Sequence, residues 1–321
     1  MALKTKNRFL LGDKQEKQQS GDLSLSFCSE AEKSASLPQQ VVAIDWSGRI
    51  DTAGQRRHIY AAHWNNGKVT LTNGRTRMET AEWLIALAKK NPSLVVGFDF
   101  CFSFPAWFLA EMGAKTAPAF WRMVTEEHGE RWLSRACEDR RFWGKPHKRP
   151  AEFSGEQLHR MLRATDIDCK LIAHIPEEER ALRVKGITPK SVFQIGGSGS
   201  VGTASLRGMA VLLALRDAGF SVWPFDKPNL PLVVEMYSRL NTGPVHKSNP
   251  EKRAEYLLRK RKEDPAYAAL PRGVLQTARA GEDAFDALVS MMVMVERRAE
   301  FPHLPRPKDP LHTMEGWTWA P

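Results

Sequence analysis

No apolar run in this chain approaches the roughly 20 residues that a membrane-spanning helix requires. Near the N-terminus, Phe9-Leu10-Leu11 is cut short by Gly12-Asp13, so the apolar core of an export signal is missing. Asp13, Glu16 and Asp22 argue against an organelle-targeting segment. The four cysteines, Cys28, Cys101, Cys137 and Cys169, are scattered, and none forms a C-x-x-C pair. That spacing excludes a zinc ribbon and a disulfide scaffold and fits reduced thiols. There is no internal repeat, and the one glycine-rich loop lacks the lysine of a phosphate-binding P-loop. Together these absences lead us to expect a cytoplasmic, non-membrane protein.

What remains is ordinary globular material with a basic balance. Hydrophobic residues make up 42% of the 321 and charged residues 26%, enough for one large domain with its own core. The formal net charge is +10. An excess of that sign favours a polyanionic partner, and nucleic acid is the expected one.

Residues 1–38 are polar and without period, and read as a disordered or weakly ordered tail. Order is expected from Gln40. Val41-Val42-Ala43-Ile44-Asp45 has the apolar run of a buried strand. Arg57–Trp64 reads as a second strand, Asn65-Asn66-Gly67 as a hairpin turn and Lys68–Thr72 as a third strand. Glu79–Lys90 has helical spacing, with Asn91-Pro92 as its stop, and Leu94–Phe100 returns to a strand pattern. Residues 106–190 are helical in pattern and carry Trp107, Trp121, Trp132 and Trp143, and we read them as an insertion. A helix over Thr203–Ala218, strands over Ser221–Phe225 and Pro231–Tyr237, and a final helix over Glu282–Glu300 complete the pattern. The expected domain runs over 39–300, and 301–321 reads as a proline-rich tail.

Acidic residues recur at the ends of these elements. Asp45 ends the first strand, Asp99 ends the fourth, and Asp283 and Asp286 share one face of the last helix's first turn. If the first and fourth strands are neighbours, the four carboxylates converge. Clustered carboxylates repel unless cations neutralise them, and such oxygen donors suit Mg²⁺ or Mn²⁺. Two ions about 3.5–4 Å apart activate water and stabilise a leaving oxygen in phosphodiester hydrolysis. The bland reading of Asp283 and Asp286 is complementation of the helix dipole. Glu235, within Leu232-Val233-Val234-Glu235, is either a fifth site residue or the structural partner of an arginine.

The segments Val42–Gly48, Gly97–Pro105, Val234–Tyr237 and Glu282–Leu288 give the chain a resemblance. It resembles a domain-of-unknown-function family of predicted nucleases with a ribonuclease H-like fold. The resemblance implies an α/β architecture with a mixed sheet flanked by helices and a metal-dependent nuclease site. The acidic pattern is also similar to that of Holliday-junction resolvases, which carry an acid on the first strand, an acid on the fourth and Asp-x-x-Asp on a late helix. Asp45, Asp99, Asp283 and Asp286 match those positions. Asp99 stands where the resolvase pattern has glutamate, and the helical insertion is a second departure.

Other features compete for a role. In Arg140–Arg149, the cations Arg140, Arg141, Lys145, Lys148 and Arg149 suit phosphates, and Trp143 suits stacking on a base. The alternative is a solvated loop with aromatics packed beneath it. Lys252, Arg253 and Arg259–Lys262 read as a charged helix face. Gly196–Ser200, leading into a helix, is a weak phosphate-binding candidate. His147 and His174 are possible proton carriers, and Cys101 is an improbable nucleophile. The leading expectation is a metal-dependent nuclease using Asp45, Asp99, Asp283 and Asp286, with Glu235 auxiliary. The alternatives are an ATP-binding phosphotransferase of the actin and sugar-kinase type and a non-catalytic nucleic-acid-binding protein.

Overall fold

The fold is organised around Gln40–Asp45 (β1), whose Val41, Val42, Ala43 and Ile44 are wholly buried. Burial on both faces explains a continuous apolar run rather than alternation. Each such side chain larger than alanine is worth roughly 1.5–3 kcal/mol against exposure. The computed structural model describes residues 37–144, 147–153, 161–166, 190–197 and 199–320. Within them the chain continues through Thr52–His58 (α1), Tyr60–Asn65 (β2), Lys68–Thr72 (β3), Arg77–Lys90 (α2) and Leu94–Phe98 (β4). Ala106–Glu111 (α3), Ala117–Met123 (α4), a π-turn at Val124–His128 and Gly129–Leu133 (α5) follow. Next come Val201–Asp217 (α6), Ser221–Val222 (β5), Leu232–Met236 (β6), Ser238–Thr242 (α7) and Pro250–Glu263 (α8). Pro265–Ala268 (α9), Arg272–Ala280 (α10), Glu282–Glu296 (α11), Pro310–Glu315 (α12) and Thr318–Trp319 (β7) complete it.

The protein is α/β with one mixed sheet in the order β3-β2-β1-β4-β6-β5, and β7 also pairs with β6. The first three strands are an antiparallel meander, while β4 runs parallel to β1 and β6 parallel to β4. The expected turn is present: Asn66 and Gly67 both take positive φ, 45° and 90°, as a two-residue hairpin loop requires. Helices cover both faces. Val42, Ile44, Val96, Phe98 and Val233 pack with α2, the 106–153 segment and α6. Val41, Ala43, Val95, Leu232, Val234 and Met236 pack with α8, α10 and α11. Alternate residues of each central strand therefore serve opposite layers.

Most boundaries differ from the pattern reading by one to three residues, the strand expected over Ser221–Phe225 being only Ser221–Val222, and two differences have an evident cause. The second strand begins at Tyr60, not Arg57, because Asp51 accepts a hydrogen bond from Gly54 N (2.6 Å) and starts α1. Arg57 and His58 thus end a helix. The final helix stops at Glu296 and gives way to a 3₁₀ turn at Arg298–His303 containing Pro302. Residues 301–320, expected as a proline-rich tail, pack on the domain. Glu315 is buried and accepts from Ala106 N (2.7 Å) and Ala164 N, and β7 lies on β6. These contacts are tertiary and leave no periodic trace in a proline-rich sequence.

The described part of the 106–190 insertion is helical at first, and its Phe108, Phe120, Trp132 and Phe142 pack with Phe104 and Phe193 in an aromatic group continuous with the core on that face of the sheet. Residues 154–160 and 167–189 lie outside the described residues, as do 1–36, with Cys28, Cys169 and His174. No helix among the described residues is long and apolar enough to cross a membrane.

Helix α6 crosses the sheet at Gly208, where an added Cβ would lie 2.4 Å from the Phe100 ring. Gly208→Ala is expected to destabilise the chain by about 1–3 kcal/mol through overpacking. Gly273→Ala, in open space at the start of α10, is expected to stabilise it by about 0.4–1 kcal/mol. Urea denaturation of the two variants checks both signs.

Candidate active site

Asp45 and Asp99 are brought together by the β1–β4 pairing. The last paired rung is Ile44 opposite Phe98, and Asp99 N donates to Ile44 O across 3.1 Å. Both aspartates continue the odd-numbered parity of Val41, Ala43 and Val95, so they emerge on the layer that contains α11. Asp283 and Asp286 lie in the first and second turns of that helix. Asp99, Asp283 and Asp286 are all close enough for their charges to act on Asp45. The Asp45 carboxyl stands well above the usual carboxylate range, first through burial and then through the charges of Asp286, Asp99 and Asp283. Burial also raises Asp99, while hydrogen bonds from Ser238 and the charge of Lys247 oppose the rise. Asp286, 3% exposed, is pushed up to about 6 by burial, against the pull of Lys247.

Lys247 is the basic member of this group. Its ammonium contacts Asp286 Oδ2, and Ser238 Oγ lies 3.3 Å from the same oxygen. Burial disfavours the ammonium, but the charges of Asp286, Asp99 and Asp45 outweigh it and hold its pKa above the ordinary lysine value. Arg253 fixes this lysine from behind. It is buried, not part of a charged face, and donates to the carbonyls of Lys247, Arg279 (3.0 Å) and Ala280 (3.0 Å). One guanidinium therefore ties the Lys247 backbone to the C-terminus of α10, immediately before α11. On the other side, His58 Nδ1 lies 2.9 Å from Asp283 Oδ2.

The turn after Asp45 is held equally firmly. Arg77 Nη1 donates to the carbonyls of Ser47 (3.2 Å) and Arg49 (2.6 Å), and Arg207 Nη1 donates to that of Gly48 (2.5 Å). Gly48 packs on the start of α6, where a Cβ would sit 2.8 Å from Ala204 N.

Glu235 is placed elsewhere. It pairs with Phe98 in register and shares its parity, so it projects on the face opposite the four aspartates. There Arg163 grips it with two nitrogens (2.8 and 2.5 Å), and Phe102 N and Thr318 Oγ1 donate to it (2.7 Å each). Of its two readings, the arginine partner is the one the structure shows, which corrects its assignment as an auxiliary catalytic acid. Cys101, Asp166 and Glu235 are the described residues whose ligand atoms lie within 4.8 Å of one another. The Arg163 guanidinium already bridges Asp166 and Glu235, so this group is a buried ion-pair network. Burial also pushes the Cys101 thiol well up, which leaves it an inert group.

The basic-aromatic segment is divided. Phe142 and Trp143 are core residues, and Trp143 is bridged to Phe193 and Ile195 through its backbone, so it is not free to stack on a base. Arg141 is committed to Asp139 and Glu111 (2.7 Å each). Arg140, Lys148 and Arg149 are exposed, and Lys145 lies outside the described residues. His147 Nε2 lies 2.8 Å from the Cys137 carbonyl oxygen, a structural contact. In the glycine loop, Val201 N and Gly202 N are taken by the carbonyls of Gly199 (2.9 Å) and Gln194 (3.0 Å). Two of the donors an anion would need at the start of α6 are thereby used.

The cluster's donors are carboxylate oxygens, and Asp286 Oδ1 is buried with no hydrogen-bond partner, although among the described residues no three of the four aspartates bring ligand atoms within 4.8 Å of one another. His58, Lys247, Ser238 and Arg253 gave no sequence signal as site residues, because each reaches the cluster only through tertiary packing. Compared with protein-family models, curated proteins and solved structures, the chain matches none.

Two predictions follow from this electrostatic division. Glu235→Ala leaves Arg163 buried and unpaired, and is expected to cost about 3–5 kcal/mol in chemical denaturation. Asp286 differs in sign. Its folded pKa of about 6 lies above the ordinary 3.8, so its contribution is full below that lower value and is lost as pH rises through about 6. The loss amounts to about 3 kcal/mol. Asp286→Asn is therefore expected to raise the melting temperature in chelator at neutral pH and to flatten the decline between those pH values.

Proposed function

We propose that the chain is a metal-dependent phosphodiesterase of the ribonuclease H-like class, acting on nucleic acid. The observation that carries this reading is that Asp45 and Asp99 follow two adjacent parallel strands at the same level, with Asp283 and Asp286 near enough for their charges to act on Asp45 and one buried carboxylate oxygen left unpartnered. The sheet order supports the class. An antiparallel meander is followed by a helix and by a fourth strand parallel to the first, which is the order expected for a ribonuclease H-like domain. Chain direction supports the location. From β1 the chain goes to β2 on one side, and from β4 it goes, through the insertion and α6, to β5 at the far edge on the other, so Asp45 and Asp99 flank the point where the strand order reverses, where ligands gather in open α/β sheets.

Asp45, Asp99, Asp283 and Asp286 would hold Mg²⁺ or Mn²⁺. Such an ion, when bound, polarises a phosphoryl oxygen and lowers the pKa of water. The chain's own groups do the rest. His58 orients Asp283 as a hydrogen-bond partner behind a ligand does. Lys247 keeps a positive charge beside the carboxylates, where a phosphate would otherwise meet only negative charge. Arg77 and Arg207 fix the turn that aims Asp45. The net charge of +10 and the exposed Arg140, Lys148 and Arg149 support a polyanionic substrate.

The test is cleavage of single-stranded, branched, duplex and hybrid nucleic acids with Mg²⁺, Mn²⁺ and chelator. Wild type is expected to cleave at least one of them with metal and none with chelator. Asp45→Asn and Asp99→Asn are each expected to lower the rate at least about a hundredfold. Failure of every substrate with both metals would reject the reading.

A further inference from the structure

A cavity of about 320 Å³ opens beside the acidic cluster, between the ends of β4 and β6 and the start of α6. It shares Asp99 and Lys247 with that cluster. Most of its lining is carbon, contributed by Phe100, Met236, Tyr237 and Leu240. Its size lies at the lower end of the roughly 300–1,000 Å³ typical of small-molecule sites. Its charged lining residues fall into three groups. Arg163, Asp166 and Glu235 are consumed in their own ion pairs. Asp99 adds a carboxylate. Lys190 is exposed, and Lys247, whose ammonium contacts Asp286, joins the cavity to the carboxylates.

We infer that this cavity receives one unstacked nucleotide of the substrate, its base between the apolar walls and its phosphate between Lys190 and Lys247. The inference rests on the phosphodiesterase reading for its biological sense but not for its test. A largely apolar slot with an exposed lysine at its edge and a second lysine shared with the acidic cluster matches a flat heterocycle carrying an anion better than it matches either a lipid chain or a bare phosphate. A base held in a continuous duplex is stacked on its neighbours and cannot enter. Unstacking costs least for a nucleotide that is already unpaired. The substrate class is thus nucleic acid with a single-stranded or unpaired position next to the scissile phosphate.

The experiment is calorimetric titration of the full chain with adenosine and uridine 5′-monophosphates, and with the corresponding nucleosides, in Mg²⁺. Two variants accompany wild type. Ala204→Phe fills the cavity from α6, whose Ala204 lines it. Lys190→Glu reverses an exposed charge at its edge and leaves the packing untouched. Wild type is expected to bind the monophosphates, Ala204→Phe to weaken both ligand types about tenfold or more, and Lys190→Glu to weaken the monophosphates only. Absence of wild-type binding at about 10 mM ligand would overturn the inference. So would affinities unchanged in Lys190→Glu, or unchanged in a folded Ala204→Phe. Cleavage is read separately. Nucleotide binding without cleavage of any nucleic acid would sink the phosphodiesterase reading and leave the cavity assignment standing. Cleavage without nucleotide binding would do the reverse.

Discussion

The parallel pairing of β1 with β4 is the constraint from which the site follows. Because Ile44 and Phe98 are partners, Asp45 and Asp99 leave neighbouring strands at the same level and on the same face. No local preference would put two carboxylates there. The apolar cores on either side of β1 fix the register, since a slip of one residue would turn Val41, Ala43, Val95 and their partners to the wrong layers. The core thus imposes electrostatic repulsion at its edge, and α11 adds Asp283 and Asp286 to it. Lys247 and its Arg253 anchor are the compensation that the chain itself carries. A protein with no use for clustered acids would gain stability by losing one of them, as the elevated Asp45 and Asp286 carboxyls imply.

Parity in the sheet divides the acidic residues into two functions. Glu235 is one strand away from Asp99 but points into the other layer, where Arg163, Thr318 and Phe102 saturate it. That network joins β6, β7 and the root of the insertion. Glu315, on α12, adds bonds from Ala106 and Ala164 and accepts from Arg163 through its own carbonyl. The charges of this network, Arg163, Asp166, Glu235 and Glu315, all have partners and serve architecture. On the opposite face, one carboxylate oxygen is left without a partner and the neighbouring carboxyls resist ionisation. The contrast in satisfaction, more than the presence of acids, separates the candidate site from the structural network.

Much of the sheet was legible because its strands carry strong patterns. The run at Val41–Ile44, the Asn66-Gly67 turn and the Lys68–Thr72 strand appear as the residues imply. Asp283 and Asp286, three apart at the start of α11, were legible from helical spacing. The rest was hidden by chemistry that acts at a distance. A single cap at Asp51 converts Arg57 and His58 from strand to helix and carries His58 to Asp283. Lys247 sits between His246 and Ser248 with no motif around it. Arg253 belongs to a run of charges, yet it is the buried one, because three backbone carbonyls meet its guanidinium. Trp143 sits in a segment rich in cations, but its ring is in the core. Residues 301–321 read as a tail because a two-residue strand and two buried side-chain contacts have no period.

The proposal most open to a direct test is that the four aspartates bind a divalent cation in competition with the Lys247 ammonium. Direct titration of Mn²⁺ into the metal-free chain at neutral pH, followed by electron paramagnetic resonance, tests it without any substrate. Wild type is expected to bind Mn²⁺, and Lys247→Met is expected to bind it about tenfold or more tightly, because the competing cation is gone. No bound Mn²⁺ in either protein, or weaker binding in Lys247→Met, would contradict the account.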